Sequence, residues 1–377
     1  MELFDLARYG VLKRNEKILL FEAFSGIGTQ AMAFDQLKEL IGIDFEVVGF
    51  SEIDKYAIQS YHAIHGGNLK NYGDIAKIEQ LPKCDVCTWS FPCQDISLAG
   101  HQKGMVEGTK SNYGYEFLET VRRSEHKPKI LVMENVKALV SERFQDDFKE
   151  IQERLKSMGY ENHWKVLNAK HYGVAQNRER VFMISILGGG YFQFPPKIKL
   201  TKRLKDYLED EVDEKYYLSE KLLNFFVENS KKNQDKGNGF KFKPHTLDDD
   251  KPAYSITTNT GSRMDDNFIS IPEATKQGYA LAKDGDGVYI NRPHQKRGVV
   301  QKGMIQTIKT SGDDVGVVTN NLRIRKLTPR ECWRLMGISD EDYFKAAQVV
   351  SNSQLYKQAG NAIVVDVLVA IFKNLIE

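Results

Sequence analysis

Short apolar runs alternate with amphipathic stretches along residues 17–190. Strands are predicted for KILLFEAF, FEVVGFSEI, CDVCTWSFP, KILVMENV, YENHWKVLNA and RVFMISIL, and helices for TQAMAFDQLKEL, KYAIQSYHAIH and FQDDFKEIQERLKSMG. Strands that alternate with helices predict a parallel, doubly wound α/β sheet. Because such sheets bind ligands at the carboxyl ends of their strands, the residues that follow these strands are candidates for a site.

The sequence changes character after Gly188-Gly189-Gly190. The following residues contain polar breaks rich in Gly, Asn and Asp and short Thr-rich runs, which predict a smaller, mainly β domain. The closing segment, YKQAGNAIVVDVLVAIFKNLIE, predicts one amphipathic helix that docks on the α/β domain. We therefore predict a first domain over 1–190, completed by 352–377, and a second domain with its hinge over 191–351.

The composition is typical of a globular protein inside a cell. Hydrophobic residues make up 41% of the 377 residues and charged residues 28%. No apolar run approaches the roughly 18 residues of a membrane helix, and the first residues lack a signal-peptide core, so we expect no membrane association. The Cys84 and Cys87 pair lacks the second pair or the histidines that a metal site needs, and we expect no metal.

Positive charge is concentrated in residues 291–330. This segment holds nine Lys and Arg residues against two acids, whereas the whole chain has a net charge of only +2. A local basic surface is what contact with nucleic-acid phosphates requires. A solvated basic face would give the same count, so the charge alone does not decide between the two interpretations.

A glycine-rich turn, FSGIGT at 24–29, follows the first predicted strand and opens a helix. Glycines there allow the backbone to approach a ligand at the positive end of a helix. Glu52 ends the next strand, where it could bind ribose hydroxyls, and Asp74 in GDI could hold an adenine amino group. The pattern indicates a nucleoside cofactor and fits NAD as well as S-adenosylmethionine. Each acid alone is equally typical of a cap or a turn.

Cys93, in FPCQ, follows a predicted strand on a turn that leads into a helix. A thiolate is most reactive when it is exposed and supported by a helix N-terminus or by cations. Glu134, in ENV, ends the next strand at the same sheet edge and could act as an acid if burial raises its pKa. Arg178 and Arg180, in QNRER, point to one side of an extended segment near the same crevice. The alternatives are that Cys93 is a buried structural cysteine, that Glu134 is a helix cap and that the two arginines form a surface charge cluster.

In order, the motifs are FxGxG, an acidic residue, GDI, FPCQ, ENV, QNRER, RKLTPRECWRLMG and QAGNAIVVDVL. This series resembles the DNA (cytosine-5)-methyltransferases over nearly the whole chain. The resemblance implies a Rossmann-like α/β sheet of the S-adenosylmethionine-dependent methyltransferases, a smaller, mainly β target-recognition domain, and DNA in the cleft between them. It further implies that Cys93 adds to C6 of a flipped cytosine and that Glu134 contacts N3 and the 4-amino group. Arg180 would hold O2, with Arg178 supporting the anionic centre.

The resemblance also implies which residues bind the cofactor and the DNA. S-adenosyl-L-methionine, which leaves as S-adenosyl-L-homocysteine, is expected to contact Phe24, Gly26, Gly28, Glu52, Ile53, Asp74, Ile75, Asn361 and Ala362. Ile53 replaces a tryptophan of some members, and residues 110–116 depart from the pattern RSGLxxE, so adenine stacking and the wall of the cofactor site are expected to differ. The candidates for DNA contacts are Ser97, Gln295 and Thr307.

The resemblance predicts a cytoplasmic enzyme of bacterial or phage origin that acts as a monomer on double-stranded DNA at a short specific sequence. A cognate restriction endonuclease would not be required. The alternatives are an RNA cytosine-5 methyltransferase, an inactive DNA-binding homologue and an NAD-dependent oxidoreductase. The cysteine-phenylalanine-threonine stretch of the RNA-acting branch is absent, and an oxidoreductase leaves FPCQ, ENV and QNRER unexplained. The intact catalytic candidates argue against an inactive homologue.

Overall fold

The computed structural model describes residues 11–93, 95–96, 104–105, 108–216 and 325–376, together with short stretches between 217 and 324. The chain divides into two compact units. The first consists of Met1–Thr201 and Trp333–Glu377, and the second is Lys202–Cys332. The first unit is therefore assembled from two parts of the chain that are far apart in sequence.

A six-stranded sheet forms the centre of the first unit. The first five strands of this sheet along the chain are β1 (Ile18–Ala23), β2 (Phe45–Ser51), β3 (Val86–Trp89), β4 (Ile130–Val136) and β5 (Tyr160–Asn168), whereas the two-residue β6 (Gln176–Asn177) is not part of it. The last is β7 (Glu179–Leu187), and the order across the sheet is β2-β1-β3-β4-β7-β5. The strands from β2 to β4 pair in parallel, as the alternation of strands and helices predicts.

The last strand departs from the predicted parallel arrangement. β7 is antiparallel to both β4 and β5. Residues 169–178 alone separate β5 from β7, and a parallel return needs a crossover of about a dozen residues or more, usually a helix. The short connection therefore reverses the chain. As a result Arg180 pairs with Val136, and the start of β7 lies at the carboxyl end of β4.

The helices of the described residues lie mostly between and after the strands of the sheet. They are α1 (Thr29–Ile41), α2 (Lys55–His65), α3 (Tyr113–Arg123), α4 (Gln145–Ser157), α5 (Pro329–Arg334), α6 (Asp340–Ala347), α7 (Asn352–Asn361) and α8 (Val365–Lys373). α4 packs on β5, whereas α6 packs on α2 and α8 packs on α1. In α4 the buried residues Phe148, Ile151 and Leu155 recur at helical spacing.

The C-terminal segment forms two helices where one was predicted. α7 ends at Asn361 and α8 begins at Val365, with extended backbone at Ala362 and Val364. Residues 352–373 are long and apolar enough to cross a membrane, but 67% of an apolar 18-residue window within them is buried inside the fold. Phe372 of α8 packs on Phe34 of α1 with ring centroids 4.6 Å apart. Packing within the first unit accounts for the apolar sequence.

Aromatic side chains pack α3 against the chain that leaves β3. Trp89 is fully buried and stacks on Phe117 at 4.7 Å and on Phe91 at 5.6 Å between ring centroids. A Cβ atom on Gly114 would lie 3.0 Å from Phe91 Cγ and 2.7 Å from Met105 Cε. The first turn of α3 can approach this loop so closely because position 114 has no side chain.

The second unit contains the strands β8 (His245–Thr246), β9 (Ala253–Tyr254), β10 (Phe268–Ser270), β11 (Gly287–Tyr289), β12 (Val300–Gln301), β13 (Val315–Val317) and β14 (Arg325–Lys326). One three-stranded sheet has the order β14-β10-β8 and another the order β12-β11-β13. The guanidinium of Arg325 donates to both oxygens of buried Glu331 at 2.8 Å, and Glu209 N–H donates to the same carboxylate at 2.8 Å. These bonds tie the first and last segments of the unit together.

A buried carboxyl group links β1 to the helices next to it. Glu22 is fully buried, its Oε1 accepts a hydrogen bond from Ala31 N–H at 3.1 Å, and the Tyr61 hydroxyl donates to Oε2. Burial raises the pKa of Glu22 to about 7, although both hydrogen bonds oppose the rise. The folded protein therefore holds this proton more tightly than the unfolded chain does.

We predict that Glu22→Gln reduces the loss of stability as pH rises. A carboxyl whose pKa is raised on folding contributes stability at low pH, which is lost between the unfolded pKa of 4.5 and the folded pKa of about 7. Glutamine cannot ionise, so the variant should gain on the order of 2 kcal/mol of unfolding free energy over wild type between about pH 5 and about pH 8. Urea unfolding at both pH values measures this. Glu16→Gln, at an exposed position, is the control. A difference from wild type that is equal at both pH values would contradict the prediction.

Candidate active site

The two strands at the centre of the sheet end side by side and carry the two main catalytic candidates. β3 and β4 are parallel, with Trp89 opposite Met133. Cys93 follows β3 and is a partly exposed free thiol, whereas Glu134 lies in β4 and is only 8% exposed. Both residues lie at the carboxyl edge of the sheet, where ligands bind in folds of this kind.

The antiparallel strand β7 brings the two arginines to the same edge. Arg180 Nε lies 3.2 Å from Glu134 Oε1, which makes an ion pair of two largely buried side chains. Arg178 is 3% exposed, and its NH2 group donates to the carbonyl oxygens of Gly360 and Ala362, each at 2.9 Å. Arg178 therefore also ties the QNRER motif to the break between α7 and α8, a contact that the sequence did not indicate.

The charges of these side chains are strongly coupled. Burial raises the pKa of Glu134, and Arg180 and Arg178 offset part of the rise. Burial likewise raises the pKa of Cys93, the charge of Glu134 raises it further, and the two arginines lower it. Burial lowers the pKa of Arg178 to about 9, with a further contribution from Arg180. In the free protein at neutral pH, Cys93 is therefore a thiol, and neutralising Glu134 favours the thiolate.

Hydrogen bonds to main-chain carbonyls hold the turn that carries Cys93. Asn135, next to Glu134, is buried, and its Nδ2 donates to Phe91 O at 3.1 Å. Ile96 N–H donates to Cys93 O at 3.0 Å. The sequence analysis did not assign a role to Asn135, although an amide at a strand end within ENV was the available signal. The other cysteines of the chain, Cys84, Cys87 and Cys332, are free and buried.

The turn between β1 and α1 has the backbone that a closely bound ligand needs. Phe24, Gly26 and Gly28 have φ angles of 55°, 57° and 79°. A Cβ atom on Gly28 would lie 2.3 Å from His65 Nε2, so glycine lets α2 pack against the turn. Ser25 Oγ is buried and has no hydrogen-bond partner among the residues that the structure describes. A buried hydroxyl without a partner fits a polar group of a bound ligand.

Glu52 connects the ends of β1 and β2 at this turn. Its Oε2 accepts from Gly26 N–H at 2.9 Å, and its Oε1 accepts from the N–H groups of Ile53 and Asp54 at 2.8 Å each. Burial raises the pKa of Glu52, and these three hydrogen bonds partly offset the rise. Ile53 is 67% exposed, which is unusual for a large apolar side chain. An exposed apolar surface beside a carboxylate fits the base and ribose of an adenosine group.

The other cofactor candidates lie on two separate segments. Asp74 Oδ1 accepts from Ala76 N–H at 3.1 Å and caps a short 3-10 turn, whose first residue, Ile75, is buried. Asn361 is exposed and Ala362 is buried at the break between α7 and α8. The DNA candidates Ser97, Gln295 and Thr307 lie outside the described residues, as does most of the basic segment 291–330.

A mainly parallel Rossmann-like sheet therefore carries a thiol and a buried carboxyl at its carboxyl edge. The family model for C-5 cytosine-specific DNA methylase matches residues 18–377. The chain therefore belongs to the C-5 cytosine-specific DNA methylase family, a family of transferases, and the predicted family is confirmed.

Similar proteins cover nearly the whole chain. It is 33% identical to the orphan methyltransferase M.SPRI of Bacillus phage SPR, over 96% of this chain and 98% of that protein. It is 34% identical to the type II methyltransferase M2.ScrFI of Lactococcus lactis subsp. cremoris, over 94% and 98%. The solved structure of S. pombe Dnmt2 methyltransferase matches with a TM-score of 0.65 and 18% identity, over 95% of this chain and 98% of that one. This likeness confirms the predicted Rossmann-like fold.

We predict that the reactivity of Cys93 follows the charges beside it. Glu134→Gln removes a negative charge and should move the pH midpoint of Cys93 alkylation down by about one unit, whereas Arg180→Gln removes a positive charge and should move it up. Iodoacetamide labelling across a pH series, followed by mass spectrometry of each cysteine peptide, measures the midpoint.

The buried cysteines provide internal references in this labelling. The control variant is Lys129→Gln, which removes an exposed charge just before β4, at the end of that strand remote from Glu134. An unchanged midpoint in both active-site variants would show that Cys93 does not experience these charges.

Proposed function

We propose that the protein is a DNA (cytosine-5)-methyltransferase that flips a cytosine out of duplex DNA, adds Cys93 to C6 and methylates C5. The observation that carries the proposal is the convergence of a thiol, a buried carboxyl and a guanidinium at one sheet edge. Arg180 Nε lies 3.2 Å from Glu134 Oε1, and both side chains influence the pKa of Cys93. Membership of the C-5 cytosine-specific DNA methylase family supports this chemistry.

Cys93 and Glu134 act together in the first step. C5 of cytosine is a weak nucleophile, and a bond from the Cys93 sulfur to C6 moves an electron pair toward C5 and N3. Glu134 donates a proton or a hydrogen bond to N3 as charge develops there, a role that suits a carboxyl whose pKa is raised by burial. While Glu134 is protonated and neutral, it does not oppose ionisation of Cys93, whose thiol gives its proton to solvent water before the thiolate attacks C6.

The arginines bind and stabilise charge. Arg180 holds cytosine O2 and neutralises the Glu134 carboxylate once that group has given up its proton. Arg178 is buried and stays bound to the carbonyls of Gly360 and Ala362, so its charge acts on the Cys93 thiolate from a fixed position. A fixed cation in a desolvated site stabilises an anion without reorganising during the reaction.

Family and fold imply S-adenosylmethionine as the methyl donor, and the residues around the glycine turn fit it. The unpartnered Ser25 hydroxyl and the exposed Ile53 side chain beside Glu52 provide the polar and apolar surfaces that it needs. When bound, it supplies an electrophilic methyl group, which C5 accepts. C5 then loses its proton to a base, for which water is a candidate, and the bond from Cys93 to C6 breaks to restore the ring.

The proposed cofactor contacts are those expected from the sequence, Phe24, Gly26, Gly28, Glu52, Ile53, Asp74, Ile75, Asn361 and Ala362. The proposed substrate is double-stranded DNA of bacteria or phages at a short specific sequence, and the protein acts as a monomer whose activity does not require a cognate restriction endonuclease. The family description, C-5 cytosine-specific DNA methylase, supports DNA as the substrate, and the relatives from a phage and a bacterium support this origin. C6 is inaccessible inside a duplex, so the base must be flipped.

Expression of the protein in a host without cytosine-5 methylation should produce 5-methylcytosine at a defined sequence context, which bisulfite sequencing detects. Cys93→Ala should abolish the modification while DNA binding persists, because the nucleophile is lost without removing a charge. Cys84→Ala, which removes a buried thiol away from the sheet edge, is the matched control and should retain activity. Methylation by the Cys93→Ala variant would eliminate the proposed nucleophile.

Ile53 should determine how tightly the adenosine group is held. Ile53→Trp enlarges the exposed surface on which a purine can stack and should tighten S-adenosylmethionine binding about 5-fold, whereas Ile53→Ala should weaken it by a similar factor. Isothermal titration with S-adenosylhomocysteine measures both changes. Leu40→Ala, at another exposed apolar position, is the control. Equal affinities for wild type and both Ile53 variants would remove Ile53 from the cofactor site.

A further inference from the structure

Ser111 bonds to the chain on both sides of the proposed nucleophile. It lies in the 3-10 turn Lys110–Asn112, just before α3, and is fully buried. Its Oγ donates to Pro92 O at 2.8 Å, and its main-chain N–H donates to Asp95 Oδ2 at 3.2 Å. Ser111 therefore spans Cys93, with one bond to the residue before it and one to a residue shortly after it.

Each carbonyl group of this turn accepts a hydrogen bond, and two of the three donors come from other parts of the fold. Phe91 O accepts from Asn135, Pro92 O accepts from Ser111, and Cys93 O accepts from Ile96 N–H. Proline has no N–H group, so the main chain at Pro92 can be anchored by its carbonyl alone. The bond from Ser111 therefore restrains the peptide plane from which Cys93 projects.

Ser111 is itself held in place by the surrounding packing. Asp95 is 6% exposed, and its main-chain carbonyl accepts from Gly104 N–H at 3.0 Å, so the acceptor of the Ser111 N–H is fixed. The close approach of Gly114 to the Phe91 ring presses the first turn of α3 against the same loop. Without the Ser111 hydroxyl, Pro92 O would lose its donor, and the tightly packed neighbours could not move to replace it.

We propose that Ser111 is a positioning residue that sets the approach of the Cys93 sulfur to C6. The inference rests on the proposed function and deepens it, and it gives residues 110–116 a role toward the nucleophile as well as the expected wall of the cofactor site. Geometry decides the rate of such an addition, since misplacement of a reacting atom by about 1 Å can cost about 100-fold.

The test compares Ser111→Ala with Ser124→Ala. Ser124 lies at the other end of α3, is buried, donates to Thr120 O at 2.7 Å and accepts from Leu81 N–H at 2.9 Å, so its loss disturbs the same helix away from the turn. The readout is the single-turnover rate of covalent adduct formation with duplex that carries 5-fluorocytosine at the methylated position. Ser111→Ala should slow the adduct about 10-fold or more, with dissociation constants for DNA and S-adenosylhomocysteine within about 2-fold of wild type. Ser124→Ala should keep the wild-type rate.

An unchanged rate in Ser111→Ala, or an equal loss in Ser124→Ala, overturns the proposal. If Ser111→Ala does not fold, Ser111→Cys carries the test, because a thiol is a much weaker donor to Pro92 O and the variant leaves the main-chain N–H bond to Asp95 Oδ2 in place. A slower adduct with unchanged binding then supports the role, and a wild-type rate overturns it.

Alkylation of Cys93 separates this inference from the proposed function, because it requires neither DNA nor cofactor. If wild type forms no adduct and no 5-methylcytosine, the proposed function fails. A Cys93 alkylation rate that differs several-fold between Ser111→Ala and Ser124→Ala would then still support the restraint by Ser111. Equal rates in both variants would overturn that restraint as well.

Discussion

The site depends on one interaction, the electrostatic attraction between the buried Glu134 carboxyl, which lies beside a thiol, and two arginines. A buried carboxylate is costly unless it is paired, and a neighbouring thiolate would add a second negative charge. Arg180 forms a direct ion pair with Glu134, and the charge of Arg178 acts on both acidic groups. The buried site therefore accommodates only limited negative charge, so protonation of Glu134 and ionisation of Cys93 favour each other.

The direction of one strand makes this arrangement possible. The last two residues of QNRER, Glu179 and Arg180, begin β7, and in a parallel strand its first residues would lie at the opposite edge of the sheet from Glu134. Because β7 runs antiparallel to β4, Arg180 lies opposite Val136. The short connection from β5, which leaves no room for a crossover helix, thus places the arginines within reach of Glu134. The length of this connection therefore determines which side chains lie beside Glu134.

The sequence predicts the strands and the edge at which they end, because apolar runs and turn residues are local signals. The meeting of Cys93 and Glu134 follows from that edge and could be foreseen. The break between α7 and α8 could not, because NAIVV continues the apolar pattern of a helix across the extended residues. The contacts of Arg178 with Gly360 and Ala362 join segments far apart in sequence, and no periodicity encodes them. For Asp74, the sequence allowed either contact with adenine or a cap, and the contact that the structure describes is the cap of a 3-10 turn.

Helix α3 packs against both the glycine-rich turn after β1 and the chain that leads to Cys93 after β3. Phe117 on this helix stacks on Trp89 at the end of β3 and lies 6.5 Å, between ring centroids, from Phe24 in the glycine turn. One helix thus contacts the chain at the ends of both β1 and β3, which carry the residues proposed to bind the methyl donor and the pyrimidine. A transfer between two ligands requires that their reacting atoms keep a fixed separation, and loops held only by their own residues do not provide it. Packing both turns on one helix supplies that fixed separation from the hydrophobic core, which couples the geometry of the reaction to the stability of the fold.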